Sequence, residues 1–270
     1  MPADLSRMAV MTTAWRRPYY FERILGSWSR AEGSDELAHF VIALGRTDRY
    51  QRQIRLIDRM RPKFGVPLEV ADQSEQALAS RGTHRAIAEA ANHVFAYDDV
   101  DFLIFGEEDT MVSSDVLTYM AWAAERFAED RGVLAVLAHS RGGQGWDEPV
   151  PAQDADADQQ AARIVPYFNP WGWGTWRDRW EKIMEPSWDW ECTSGDNPMQ
   201  HGYDWNLQLR VMPAHNMGCV VPDASRSQNI GALEGWASSP QIVAQAQSQS
   251  FRREREPGGT YRLLASRAGL

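Results

Sequence analysis

Three consecutive acids, Glu107, Glu108 and Asp109, follow directly after a short apolar run near the middle of the chain. That run, Phe102 to Phe105, has the length and the residue types of a buried strand. Hard cations such as Mg²⁺ and Mn²⁺ prefer carboxylate oxygens, and they commonly take one or two of them together with substrate phosphates. The acids are therefore candidates for holding a metal–diphosphate pair. A solvated acidic turn is the alternative interpretation.

The elements that must position these acids follow from the hydrophobic pattern of the first half of the chain. Apolar runs predict strands, and stretches with helical spacing lie between them, the last of these beginning at Ser114 as its N-cap. Alternating strands and helices indicate an α/β fold whose mostly parallel sheet is covered on both faces. Ligands of such sheets lie beyond the carboxyl ends of the strands, where we expect both the acids and the turn 15–18. The predicted strands are 8–13, 39–44, 67–71, 102–105 and 133–138, and the predicted helices are 18–29, 54–60, 85–95 and 114–129.

Tryptophan is concentrated in the second half of the chain. Eight of the 12 tryptophans fall between Trp171 and Trp236. For Trp171, Trp173 and Trp176 we expect a place in the core, because tryptophan is a large apolar side chain. A surface on which a sugar stacks is the alternative for the same residues.

Less regular segments separate the remaining predicted elements. Glycines at 142, 143 and 145 are followed by residues 147–163, which carry proline and five acids without periodicity, and we interpret this segment as a mobile surface loop, either a plain insertion or a lid. A helix is predicted at 204–212 and a strand at 218–221. The residues from 241 to 270 form a polar, arginine-rich tail that either docks or stays disordered.

Composition indicates a soluble globular protein. The chain has 270 residues, of which 43% are hydrophobic and 24% charged, and no apolar run approaches the roughly eighteen residues that a membrane span needs. The net charge of −9 disfavours nonspecific nucleic-acid binding as the main activity. The two cysteines, Cys192 and Cys219, are too few for a disulfide framework, so a reducing cytoplasm is expected: that of a bacterium, or of the host if a phage encodes the chain.

Three groups of residues, taken in order, resemble the GT-A nucleotide-sugar glycosyltransferases. The resemblance covers roughly residues 8–235 and is closest to N-acetylglucosaminyltransferase I and its small bacterial and phage relatives. The groups are Thr13-Ala-Trp-Arg-Arg-Pro; Glu107-Glu-Asp; and Pro166-Tyr-Phe-Asn-Pro-Trp-Gly-Trp-Gly-Thr-Trp-Arg followed by Tyr203-Asp-Trp and Pro222-Asp-Ala-Ser-Arg-Ser-Gln-Asn-Ile-Gly.

This resemblance implies a Rossmann-like GT-A fold with a mostly parallel central sheet. Residues 1–135 would form the half that binds a nucleotide sugar. Residues 136–240 would form the tryptophan-rich half of the same domain that binds the acceptor, with 241–270 as a tail.

The resemblance also implies a metal-dependent, inverting hexosyltransferase. Its donor would be a nucleoside-diphosphate sugar, most simply a UDP-sugar, with Mn²⁺ or Mg²⁺ as cofactor. Asp109 matches the position that reaches the metal, and Glu107 and Glu108 would act directly or through water beside the donor. Three further residues are implied to line the donor site: Arg17, Arg81 and His84.

An inverting transfer requires a base that takes the proton of the acceptor hydroxyl. Asp204, in Gly202-Tyr-Asp-Trp, matches the family's catalytic acid residue between aromatics, where burial would raise its pKa towards the working range. Asp189, between Trp188 and Trp190, is the rival candidate.

Three functions stay open on the sequence. The first is the transferase, whose hydroxyl acceptor is a glycan, a protein side chain or a hydroxymethylated base in DNA, with no membrane partner. The second is a non-catalytic module of the same fold that binds a nucleotide sugar or a glycan. The third is a nucleotidyltransferase, which the absence of a glycine-rich, lysine-assisted phosphate loop disfavours.

Overall fold

The structure is a computed structural model that describes residues 4–73, 83–140, 158–190, 202–231, 254 and 261–264. The predicted donor-site residue Arg81 and residues 147–157 of the predicted loop lie outside these ranges, as does most of the tail. Among the described residues the strands are β1 (Met8–Ala14), β2 (His39–Leu44), β3 (Leu68–Asp72), β4 (Phe102–Gly106), β5 (Thr110–Val112), β6 (Val133–Leu137), β7 (Ala161–Val165), β8 (Trp173–Trp176), β9 (Gly218–Pro222), β10 (Ser227–Asn229) and β11 (Arg262–Leu263).

The described helices lie between these strands. Short 3₁₀ turns occur at Leu5–Arg7 and Arg61–Lys63, and π-helical segments at Trp180–Met184 and Leu207–Val211. The α-helices are α1 (Pro18–Trp28), α2 (Tyr50–Met60), α3 (Thr83–Phe95), α4 (Val116–Arg126), α5 (Arg177–Arg179), α6 (Tyr203–Asn206) and α7 (Met212–His215).

Nine of the described strands form one mixed sheet in the order β3-β2-β1-β4-β8-β6-β9-β7-β11. The pairs from β3 to β4 are parallel, as are β6–β9 and β7–β11, while β8 runs antiparallel to both of its neighbours and β7 to β9. The remaining two strands, β5 and β10, form a small antiparallel sheet. The mostly parallel α/β sheet predicted from the sequence is thus present.

The sheet is buried on both faces, which explains the unbroken apolar runs of its central strands. Along β1, Val10 packs with α1, α2 and α4 on one face, whereas the adjacent Ala9 and Met11 pack with α3 on the other. The second face also holds the π-helical segments that follow α5 and α6. The tryptophans at 171, 173 and 176 are at most 8% exposed, so the core interpretation is confirmed for them.

Two sequence-based expectations about elements are wrong. Residues 161–163 belong to β7, which pairs with β9 and is not part of a surface loop. The helix α4 has Asp115 as its N-cap residue in place of Ser114, and the carboxylate of Asp115 makes no capping bond. It accepts hydrogen bonds from Ser113 and Arg226 instead, because it is part of a buried ion pair.

None of the helices in the described ranges is long and apolar enough to cross a membrane.

Candidate active site

The acids and the first turn of the chain meet because β1 and β4 are parallel neighbours. Thr12 pairs with Gly106 in the register, so the residues that follow each strand leave the sheet at the same edge. The turn Trp15–Arg17 and the acids Glu107–Asp109 therefore lie side by side. This is the position beyond the strand ends that the sequence predicts for a ligand site.

Glu108 holds this turn in place. Its Oε2 accepts the backbone N–H groups of Trp15, Arg16 and Arg17 at 2.6, 3.1 and 3.4 Å. Its Oε1 accepts from Nε of Arg17 at 2.7 Å. Glu108 is 7% exposed and both of its oxygens are occupied by the turn. Its contacts are therefore with the backbone of the turn and with the side chain of Arg17, which the sequence alone does not indicate.

Arg17 links the first turn to the last acid. Its Nη2 lies 2.7 Å from Oδ2 of Asp109, while its Nε is held by Glu108. Burial alone would lower the pKa of Arg17, but the charges of Asp109 and Glu108 outweigh this and raise it. Burial raises the pKa of Asp109, and the guanidinium of Arg17 opposes that effect.

A second segment reaches Asp109 from far along the chain. The strand β10 pairs with β5, and this brings Nδ2 of Asn229 to 3.3 Å from Oδ1 of Asp109. The N–H of Ile230 donates to the carbonyl oxygen of Asp109 at 2.8 Å. A Cβ atom at Gly231 would collide with the side chains of both Asp109 and Arg17, so the chain passes too close for any larger residue. Asn229, Ile230 and Gly231 end the last motif that the chain shares with the glycosyltransferases, but the sequence does not reveal their contact with the acids.

Glu107 is directed away from the turn, towards α6. Its Oε1 accepts from the hydroxyl of Tyr203 at 3.3 Å, and that hydroxyl in turn accepts from Nε1 of Trp173 at 3.3 Å. Burial, and then the charges of Asp109 and Asp204, raise the pKa of Glu107 to about 8. A carboxyl group with this pKa is mostly protonated at neutral pH unless a cation lies close to it.

Asp204 lies in the first turn of α6, directly after Tyr203. Burial raises its pKa to about 6, against the opposing effect of the backbone N–H groups of Trp205 and of Asp204 itself. Because its charge contributes to the shift at Glu107, the two carboxylates are close enough to interact. The contact between Arg17 and Asp109, together with the effects of Asp109 and Asp204 on the pKa of Glu107, indicates that these four residues form one cluster.

His84 contacts the start of α6, next to Asp204. Its Nδ1 accepts the backbone N–H of Tyr203 at 3.2 Å, and its carbonyl oxygen accepts from Nε1 of Trp188 at 3.2 Å. Trp188 stacks on Tyr203 with ring centroids 5.5 Å apart. In the described structure, the contacts of His84 are those of a residue that positions the start of α6.

The rival base, Asp189, lies elsewhere. It borders a cavity of about 320 Å³ beneath α6 and α7, whose lining residues are Ser187, Trp188, Asp189, Asn206, Arg210, Val211, Ala214 and His215. The charge of Asp204, by contrast, contributes to the raised pKa of Glu107.

The acids fit a divalent cation by their chemistry, although they do not form a complete ligand set. Within the described ranges, no three His, Cys, Asp or Glu side chains converge as a ready metal site. Burial raises the pKa of Glu107, Asp109 and Asp204, and the charges of neighbouring acids add to the shift at Glu107 and at Asp109. Such a set suits an ion that takes one or two carboxylates and completes its shell with phosphates and water.

Solved structures share this fold. A mannosyltransferase from Pyrobaculum calidifontis, in complex with GDP-Man and Mn²⁺, matches with a TM-score of 0.50 and 17% identity over 80% of this chain and 54% of its own. Residues 1–349 of S. aureus TarS match with a TM-score of 0.51 and 12% identity over 92% of this chain and 67% of that one. The chain therefore spans about half the length of the mannosyltransferase. No family model matches it, and no curated protein matches it by sequence.

These likenesses define the class of fold. The chain has a mixed α/β fold with a large, mostly parallel central sheet, the GT-A-like fold of nucleotide-sugar glycosyltransferases. The fold class predicted from the sequence is confirmed. The narrower likeness to N-acetylglucosaminyltransferase I and phage relatives stays a prediction.

Proposed function

We propose that this protein is a glycosyltransferase that moves a sugar from a nucleoside-diphosphate sugar to a hydroxyl acceptor. The observation that supports this most directly is the cluster of Arg17, Glu107, Asp109 and Asp204 at the carboxyl ends of β1 and β4. A fold shared with a mannosyltransferase that was solved with GDP-Man and Mn²⁺ supports it further. Residues 1–135 would bind the donor, and 136–240 the acceptor.

Asp109 and Glu107 are the proposed ligands of Mg²⁺ or Mn²⁺. When bound, the cation would neutralise charge on the diphosphate that departs from the sugar. Arg17, fixed by Glu108 beside Asp109, is placed to add a second positive charge there. Glu108 would affect the donor through the turn it holds, and His84 through the start of α6.

Asp204 is the proposed base of an inverting transfer. Its carboxylate takes the proton of the acceptor hydroxyl while that oxygen forms a bond to the anomeric carbon from the side opposite the diphosphate. The bond between this carbon and the diphosphate oxygen breaks, and the diphosphate leaves with the electron pair. A base with a pKa of about 6 is mostly ionised at neutral pH and still accepts a proton readily.

The first test is a panel of donors, including UDP-sugars and GDP-mannose, with Mg²⁺ or Mn²⁺. Binding to the native state must raise the melting temperature. We expect a shift with at least one donor, accompanied by slow hydrolysis of its sugar–phosphate bond. If no donor shifts the melting temperature with either metal, the proposal is wrong.

Asp204→Asn separates an enzyme from a binding module of the same fold. We expect turnover to fall by about 10²–10⁴-fold, the usual contribution of a general base, while donor binding is retained. Asp189→Asn is the matched control, because it changes a neighbouring aspartate outside the cluster, and it should keep most of the activity. Equal losses of turnover in the two variants would show that Asp204 is not the base. A chain that binds donor but never transfers it would be the non-catalytic module.

A further inference from the structure

A second cavity, of about 460 Å³, adjoins the acidic cluster on the far side of Arg17. It opens between the start of α1 and the start of α2, which follow the neighbouring strands β1 and β2. We call it the arginine cavity, and it is lined by Arg16, Arg17, Pro18, Tyr19, Tyr20, Arg49 and Arg52.

The arginine cavity concentrates positive charge in a chain whose net charge is −9. Two of its four arginines have acidic partners: Arg17 pairs with Glu108 and Asp109, and Arg49 lies 3.3 Å from Asp48. In the part of the chain that the structure describes, no carboxylate lies within 4.0 Å of Arg16 or Arg52. Four guanidinium groups in one cavity repel each other, and this repulsion is only partly offset by neighbouring acids.

The N-termini of α1 and α2 add further positive charge to the arginine cavity. The N-cap residues of α1 and α2 are Arg17 and Arg49, neither helix has a side-chain capping bond, and neither has an acid in its first turn. A helix N-terminus carries partial positive charge, so Ser, Thr, Asp or Asn is the stabilising choice there. Arginine at both N-caps of one cavity opposes local stability. An anion bound in the cavity would reverse the sign of each of these effects.

The chemistry of the lining selects the anion. Guanidinium groups donate paired hydrogen bonds that match the oxygens of a phosphate. Tyr19, whose exposed fraction is 65%, adds a ring and a hydroxyl at the rim. We infer that the arginine cavity is a binding site for a phosphate group carried by a larger ligand, outside the carboxylate cluster. The phosphate belongs either to the nucleotide of the donor or to a phosphodiester of the acceptor.

The test uses the full chain, with a chelator present so that phosphate cannot bind the carboxylates through a metal. Inorganic pyrophosphate is titrated by calorimetry into the native protein and into Arg52→Gln, which removes one charge from the cavity. We expect affinity to fall about tenfold, the effect of losing a charge-assisted hydrogen bond of about 1.4 kcal/mol. The affinity of Arg49→Gln for pyrophosphate should also be lower than that of the native protein.

Arg55→Gln is the matched control, because Arg55 is exposed on the same helix but does not line the cavity. It should change the affinity less than twofold. Equal losses in Arg52→Gln and Arg55→Gln would show only an effect of net charge and would overturn the inference. So would the absence of pyrophosphate binding to the native chain. Neither result depends on sugar transfer, so the proposed function would stand or fall separately.

The source of the phosphate follows from the same variants. UDP and GDP represent the donor, and a thymidine dinucleotide represents a phosphodiester. A loss of affinity in Arg52→Gln for the nucleoside diphosphates alone assigns the cavity to the donor. A loss for the dinucleotide alone assigns it to the acceptor. No loss for any of the three probes would contradict the inference.

Discussion

Three adjacent acids have three different environments in this protein. Glu108 faces the protein's own backbone, Asp109 faces Arg17, and Glu107 faces the hydroxyl of Tyr203. The sequence identifies the acids as a group, since they follow an apolar strand. It does not divide the roles among them, because the partners lie 91 to 120 positions away and only the fold brings them together.

Glu108→Gln is expected to destabilise the protein by about 2 kcal/mol, the usual cost of disrupting a buried, charged hydrogen-bond network. A glutamine amide would place an N–H group against the Nε of Arg17 or against the backbone N–H groups of the turn. Denaturation with urea at pH 7 measures this change. A variant as stable as the native chain would show that Glu108 does not hold the turn.

Glu107→Gln provides the contrast within the same triplet. The pKa of Glu107 is raised from 4.5 to about 8, so the folded state holds its proton more tightly than the unfolded state does. Its contribution to stability is therefore lost as pH rises from about 4.5 to about 8. In metal-free buffer we expect the variant to lose less stability than the native chain over this range. A steeper loss would contradict the assignment.

The pH dependence of transfer belongs to Asp204. Because its pKa is about 6 and a base must be ionised, kcat/KM should rise about tenfold per pH unit below pH 6 and level off above it. Initial rates from pH 4.5 to 8 give this profile. In Asp204→Asn the residual kcat/KM should no longer depend on pH over this range. If the profile of that variant kept its midpoint near pH 6, the titration would belong to another group.

At the scale of elements, the sequence predicts the first half far better than the second. The strands β1, β2, β4 and β6 are continuous apolar runs, and the helices between them have clear spacing, so the hydrophobic pattern predicts both. The hydrophobic pattern does not predict β5, β7, β8, β10 or β11. These strands have two to five residues, and their pairing is set by distant partners and not by local pattern.

The pairing of β5 with β10 holds Asn229 and Gly231 against Asp109. Gly231→Ala should displace the segment after β10, because the added Cβ would collide with Asp109 and Arg17. We expect weaker donor binding together with a loss of stability of about 1–3 kcal/mol, as for other overpacked sites. Gly26→Ala, in the interior of α1, is the control. There the nearest atom to the new Cβ is 3.5 Å away, so the helix should become slightly more stable. Equal behaviour of the two variants would count against the close approach at Gly231.

At the scale of the whole molecule, the cluster draws on four separate parts of the chain. The turn after β1, the acids after β4, the start of α6 and the end of β10 all contribute. The strand β8 lies antiparallel between β4 and β6 and so joins the two halves of one sheet. The site therefore takes its residues from both halves of the chain.

Tyr261, near the end of the chain, packs against aromatic side chains of α4. It is 6% exposed, and its ring lies 5.3 Å from that of Trp122 and 5.8 Å from that of Tyr119. Tyr261→Ala should lower the free energy of unfolding by about 3 kcal/mol, as for other buried aromatics. Leu263→Ala, at a residue that is 39% exposed, should change it by less than about 0.5 kcal/mol. Chemical denaturation of both variants decides the point, and a stable Tyr261→Ala would mean that this contact is dispensable.

The two residues of β11 have a consequence for the behaviour of the protein in concentrated solution. They pair with Ala161 and Ala162 and so cover part of the outer edge of β7. An uncovered strand edge is a template on which another copy of the chain can add a strand. Within β7 as described, the charged residue is Arg163, and it already pairs with Asp223, so it offers little protection if β11 is released. A chain that ends at Tyr261 loses β11 but keeps the buried tyrosine, so we expect it to self-associate more readily than the full chain, and light scattering at increasing protein concentration would detect this.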